Sequence, residues 1–119
     1  MSISYQLGRK GESEAAAFLT KKKYVILEKK FRFRKAEVDL IVKKNNILIA
    51  VEIKTRSSAF FGSPALFLKP KQQRRIVEAV DYYVQQNNLN MEVRFDVISI
   101  VRNKGSFDIQ HIKNAFYHF

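Results

Sequence analysis

Two β-branched runs separated by a pair of asparagines constrain this chain more than any other feature. Glu37–Lys43 and Ile47–Thr55 read as strands, and Asn45-Asn46 between them can take the positive φ that a two-residue hairpin turn demands. Such a turn pairs Lys44 with Ile47 and dictates every pair beyond it. A four-residue loop leaves the same register, and only a bulge breaks it. Asp39 is then set opposite Glu52, and Glu37 opposite Lys54. Because strand side chains alternate, Val38, Leu40 and Val42 should share one face with Ile47, Ile49, Val51 and Ile53, an aliphatic surface made for a core. Glu37, Asp39 and Ile41 fall on the other face beside Leu48, Ala50, Glu52 and Lys54.

Around this hairpin the rest of the chain reads as regular elements with short connections, since four glycines, two prolines and no repeat interrupt 119 residues. Residues 6–22 form a helix with Gly8, Ala15, Ala16, Phe18 and Leu19 inward. Tyr24–Phe33 is a strand, Ser57–Leu68 a loop, and residues 71–87 a second helix with Ile76, Val77, Ala79, Val80, Tyr83 and Val84 on its apolar side. Val93–Val101 and Phe107–Ile112 close the chain as a strand pair around Lys104-Gly105. The order α-β-β-β-α-β-β predicts one α/β domain over residues 1–119, a mixed β-sheet flanked by helices.

The hairpin also carries the chemistry. Directly opposed Asp39 and Glu52 stand about 5 Å apart at Cβ and repel one another. Lys54, two residues on and therefore on the same face, can offset that repulsion. So can a divalent cation: carboxylates, water and a backbone carbonyl suit Mg²⁺ or Mn²⁺, ions that favour phosphate substrates. Lys54 could then stabilise developing negative charge on a phosphate or orient the attacking water. The same residues also fit a surface of cross-strand ion pairs, Glu37 with Lys54 and Asp39 with a neighbouring arginine. Glu12 lies on or beside the small-residue face of the first helix, where a carboxylate is costly unless paired. It is a candidate third acid, or a charge that compensates the helix dipole.

Charge narrows the partner. Twenty-two Lys and Arg against eleven Asp and Glu leave a net +11, which points to a polyanion. Lys21–Lys35 holds eight basic residues in fifteen, with Phe31 and Phe33 interleaved with the arginines. Lys29, Lys30, Arg32, Arg34 and Lys35 read as an edge that tracks phosphates, or as a solvated strand end that discourages edge pairing. Arg56 follows the hairpin, and Lys69, Lys71, Arg74 and Arg75 form a second patch where positive charge opposes the helix dipole. Phe60-Phe61-Gly62 could stack on a base or pack in the core, Arg94 and Asp96 share a strand face as an ion pair, and His111 and His118 lack any metal or triad pattern. Without cysteine, disulfides, zinc–thiolate sites and thiol nucleophiles are excluded. No apolar run reaches the roughly 18 residues of a membrane span, and Met1-Ser2-Ile3-Ser4-Tyr5 lacks a signal-peptide core, so the expectation is a cytoplasmic protein without a membrane partner. Aromatic Tyr117-His118-Phe119 could dock on the body or on a second protomer, which makes a homodimer a candidate assembly.

Gly8-Arg9-Lys10-Gly11-Glu12, Glu37-Val38-Asp39-Leu40-Ile41 and Val51-Glu52-Ile53-Lys54-Thr55-Arg56 together resemble the signature of the YraN family of endonuclease-like proteins. Phe61-Gly62, Lys71 with Ala79, Arg94-Phe95-Asp96-Val97 and Ile112-Lys113-Asn114-Ala115-Phe116 extend the resemblance over nearly the whole chain. It implies a restriction-endonuclease-like fold of the PD-(D/E)xK group, similar to Holliday-junction resolvases. It further implies Glu12, Asp39, Glu52 and Lys54 as the active-site set, and Asp39, Glu52 and the Ile53 carbonyl as ligands of Mg²⁺ or Mn²⁺. Ala36 stands where the family usually has glycine. The expected activity is metal-dependent hydrolysis of phosphodiester bonds in nucleic acid, DNA ahead of RNA and branched DNA included. The alternatives are a non-catalytic nucleic-acid-binding module of the same fold, and an accessory protein whose basic patches meet an acidic protein.

Overall fold

Asn45 and Asn46 turn the chain as expected, with φ of 51° and 64°, the double left-handed signature of a type I′ hairpin. The structure is a computed structural model that describes residues 3–56, 68–103 and 105–116. Strand β2 (Ala36–Lys44) pairs antiparallel with β3 (Ile47–Arg56), in the expected register from Lys44↔Ile47 to Leu40↔Val51. Strand β1 (Val25–Phe33) pairs antiparallel with β2 through the turn at Arg34-Lys35 and forms one edge of the sheet. Helix α1 (Ile3–Lys21) precedes it, three residues longer at its start than its periodicity predicts. Helix α2 (Pro70–Gln86) is the crossover that parallel strands require, and carries the chain from β3 to β4 (Glu92–Asn103). Strand β5 (Ser106–Phe116) returns antiparallel, giving one mixed sheet in the order β1-β2-β3-β4-β5 within a single α/β domain. Among the described residues, no helix is long and apolar enough to cross a membrane.

Strand β5 runs four residues past its expected end. A bulge lets it continue: the register shifts between Phe95 and Val97, and Asn114 takes a φ of 55° opposite the shift. The asparagine N–H, turned out of the ladder, donates to the Asp96 carboxylate at 3.0 Å. Phe116 can then pair with Phe95 and stack on it.

Each face of the sheet has its own core. Under α1, Ala15 and Leu19 pack with Leu40, Val42, Ile49, Val51, Ile98 and Ile100. Under α2, Ile76, Ala79, Val80 and Tyr83 pack with Val38, Ile41, Leu48, Ala50, Phe95 and Val97. This corrects two expectations. The hairpin's second face is not a surface of cross-strand ion pairs but is largely core, with Ile41, Leu48 and Ala50 buried, because a strand covered by helices on both sides buries both sets of side chains. Val38 also parts company with Leu40 and Val42 and joins the α2 side.

Candidate functional site

The departure of Val38 marks where the site is built. Below Leu40↔Val51 the β2–β3 ladder ends, and carboxylates take over as partners of the backbone. The Asp39 N–H donates to Glu52 Oε2 at 3.1 Å, and the Ile53 N–H donates to Asp39 Oδ2 at 2.7 Å. In β1, Lys30 lies between the pairs Lys29↔Leu40 and Phe31↔Val38, level with Asp39, and adopts a left-handed φ of 51°. Consecutive side chains in both strands, Lys29-Lys30 and Asp39-Leu40, consequently line one cleft of about 290 Å³ on the α1 side. Beyond this level Val38 and Phe31 turn to the α2 side, where Phe31 meets Tyr83 edge to face. A kink shared by two strands thus places Asp39 in the cleft without changing the register.

Asp39 and Glu52 are expected neighbours, and the structure brings them together: the Glu52 carboxylate accepts from the Asp39 N–H, and the Asp39 carboxylate accepts from the N–H of Ile53, the residue after Glu52. Glu52 is 4% exposed. Burial, followed by the negative charge of Asp39, raises its pKa to about 8. Burial also raises Asp39, to about 6, with the Ile53 N–H pulling the other way and Glu12 adding to the rise. Lys54 favours the charged form of both carboxyls without offsetting their burial.

Helix α1 brings Glu12 to the same cleft, and Gly11 is what lets it approach. A methyl group at Gly11 would collide with Oγ1 of Thr55 and lie 2.9 Å from its Cγ2. Glu12 is half-buried and pairs with Lys30, Nζ to Oε2 at 3.5 Å. The cleft therefore holds Glu12, Asp39, Lys29 and Lys30 together, with Arg9 also on its wall. Glu37, expected opposite Lys54, instead pairs with Arg32 across β1 and β2 at 3.2 Å, because the ladder that would set it against Lys54 has already ended.

The remaining basic candidates are dispersed. Arg34 and Lys35 sit in the β1–β2 turn, Arg56 ends β3 with its guanidinium donating to the Thr55 carbonyl, and Lys69 is the N-cap of α2. Lys71 and Arg74 are exposed on the first turns of α2, and Arg75 beside them is half-buried. Ala36 needs no left-handed backbone and is buried in the α2-side core, where its methyl group is accommodated. Phe60-Phe61-Gly62 and Tyr117-His118-Phe119 lie outside the described residues.

One cluster was only half legible in the sequence. Asp96, fully buried, accepts two hydrogen bonds from Arg94, both at 2.9 Å, as the shared strand face suggested. His111 also contacts it at 2.7 Å, between the rings of Phe18 and Tyr24. Burial pushes the Asp96 pKa up, but His111, Arg94 and the Asn114 N–H outweigh it and hold the carboxyl below its ordinary value. His111 gave no signal because its partner is fifteen residues away across a bulge.

Among the described residues, no group of three or more His, Cys, Asp or Glu side chains could hold a metal between them. A buried Glu52 and a half-buried Asp39 beside it, both with pKa values raised chiefly by burial, nonetheless form a donor set that fits a hard cation retaining several waters.

The sequence profile of the uncharacterised protein family UPF0102 matches residues 11–100, a segment that contains Glu12, Asp39, Glu52 and Lys54. A UPF0102 protein of Christiangramia forsetii is 51% identical over 119 residues, with 100% of each chain covered. One of Flavobacterium psychrophilum is 50% identical over the same span, again with 100% of each covered. One of Parabacteroides distasonis is 42% identical over 117 residues, covering 98% of this chain and 97% of the relative.

Proposed function

We propose that this chain, which belongs to the uncharacterised UPF0102 family, is a metal-dependent nuclease that hydrolyses phosphodiester bonds in nucleic acid. The observation that carries this reading is the Asp39–Glu52 pair, a buried Glu52 hydrogen-bonded to the backbone of a half-buried Asp39 whose side chain lines a basic cleft. Such a pair is costly for a fold to maintain unless a cation gives it a use. The motif resemblance to PD-(D/E)xK nucleases supports the same reading.

Asp39, Glu52 and the Ile53 carbonyl would hold Mg²⁺ or Mn²⁺, which when bound supplies a water of lowered pKa and neutralises phosphate charge. Lys29 and Lys30 draw the phosphate backbone into the cleft. Lys54, close enough to act on both carboxyls, stabilises the negative charge that develops on the phosphate. Glu12 positions Lys30 through their ion pair.

The test is a cleavage panel of branched, single-stranded and duplex DNA and RNA with Mg²⁺ or Mn²⁺. Wild-type protein should cut at least one substrate, and Asp39→Asn or Glu52→Gln should abolish cutting while nucleic acid still binds. Lys54→Ala should retain metal binding and lose turnover, because its role lies in the transition state. Salt-sensitive binding with no cleavage of any substrate would overturn the nuclease reading and leave a binding module.

A further inference from the structure

We infer that the end of β1 and the middle of α2 form a stacking subsite for one unpaired nucleobase, a proposal that rests on the chain being a nucleic-acid-binding protein. Phe33, the last residue of β1, stacks on Tyr82 of α2 with ring centroids 4.3 Å apart and planes 24° from parallel. Tyr82 is 39% exposed, although its neighbour Tyr83 is buried and already supplies the core contact with Phe31. Phe33 is half-buried against the α2-side core, and Tyr82 carries the stack out to the surface.

A guanidinium completes the platform. Arg34 Cζ lies 5.1 Å from the centroid of Phe33. Arg34 has a φ of 56° at the first turn position, which hairpins normally give to glycine. An arginine kept in that strained place, with its planar head over an aromatic ring, points to a use for the side chain. Phe33, Arg34, Lys35, Arg75 and Glu78 line a hollow of about 200 Å³ floored by Ala36. Sites for drug-sized ligands run from about 300 Å³ upward, so this one suits a single ring system. With Phe33 held between Tyr82 and Arg34, the outer faces of the Tyr82 ring and the guanidinium stack on a base of any identity, the three cations match its flanking phosphates, and Glu78 can accept a hydrogen bond from an exocyclic amino group.

The position suits a strand leading to the cleft. Phe33 is three residues beyond Lys30, about 10 Å along β1, and β1 is an edge strand that a flexible single strand can cross. A paired duplex keeps its base faces stacked inside and cannot offer one here.

The experiment compares three oligonucleotide probes of equal length by fluorescence anisotropy in chelator, so that nothing is cut: a single strand, its duplex, and a strand whose sugars lack bases. DNA and RNA versions distinguish the two sources of the base. Wild-type protein should bind the single strand at least about tenfold more tightly than the baseless strand. Tyr82→Ala and Phe33→Leu should each weaken single-strand binding by about 5- to 150-fold, the worth of one stacked base, with the salt slope unchanged. Thermal melting confirms that each variant is folded, and the exposed Tyr82 leaves the core intact if Phe33→Leu does not. Equal binding of single and baseless strands, or full single-strand affinity in Tyr82→Ala, would overturn the stacking subsite and leave the nucleic-acid reading standing. Failure of wild-type protein to bind any probe would overturn both.

Discussion

A carboxyl that loses its water binds its proton more tightly, and Glu52 does so while its side chain also accepts the Asp39 N–H. Its pKa rises from 4.5 to about 8 on folding, so between those values the folded chain holds more protons than the unfolded one. Stability from this group is complete below pH 4.5 and is lost as pH rises through about 8. Glu52→Gln keeps an acceptor for Asp39 and removes the titration. In chelator at pH 9 it should be more stable than wild type by at least about 1.4 kcal/mol, the worth of one pKa unit, and nearly equal to it at pH 5. Urea denaturation across that range checks this. Mg²⁺ titrated into wild type at pH 7 should release protons, measurable by calorimetry in buffers of different ionisation enthalpy. Asp96 has the opposite sign. Its pKa is lowered on folding, so its contribution is present above the unfolded value of about 3.9 and is lost as pH falls through the folded one. Asp96→Asn breaks a buried network with Arg94 and His111 and should cost about 3–5 kcal/mol in the same denaturation assay.

Helix α1 reaches the sheet only because position 11 has no side chain, so Gly11→Ala tests how the element is seated. The added methyl group forces α1 away from Thr55 and should destabilise by about 1–3 kcal/mol, as overpacking does. Thr55→Ala, which removes Oγ1 and Cγ2 and leaves Cβ 3.1 Å from the new methyl, should recover part of that loss. A double-mutant cycle measures the coupling. Strand β1 offers a second test at Lys30, whose left-handed backbone opposes its own side chain. Lys30→Asn suits that backbone better and should keep or raise the melting temperature while lowering nucleic-acid affinity. A fall in stability with unchanged affinity would show that Lys30 is there for the fold.

A net charge of +11 attracts any polyanion, and the fold decides which charges touch it. Lys29 and Lys30 stand in the carboxylate cleft, whereas Lys21 and Lys23 lie beyond the opposite end of β1. Replacing Lys29 and Lys30 by Ala should flatten the dependence of log affinity on log salt by nearly two, about 0.9 for each lost duplex phosphate contact. Replacing Lys21 and Lys23 should leave the slope as it was. Equal effects would mean that binding follows net charge rather than the cleft.

The features legible in the sequence are those that depend on neighbouring residues. Two asparagines that tolerate positive φ set the hairpin and its register as far as Leu40↔Val51. Apolar spacing placed both helices and all five strands within a few residues, apart from the end of β5. Alternation then failed at Lys30 and Asp39, because a kink in paired strands is a compromise between two chains and leaves no trace in the period of either. Packing decided that both sheet faces are buried, that Glu12 takes Lys30 as its partner, that Asp96 gathers His111 across a bulge, and that Tyr82 meets Phe33. Each of these contacts joins elements distant in the chain, so only the tertiary structure could bring their side chains together.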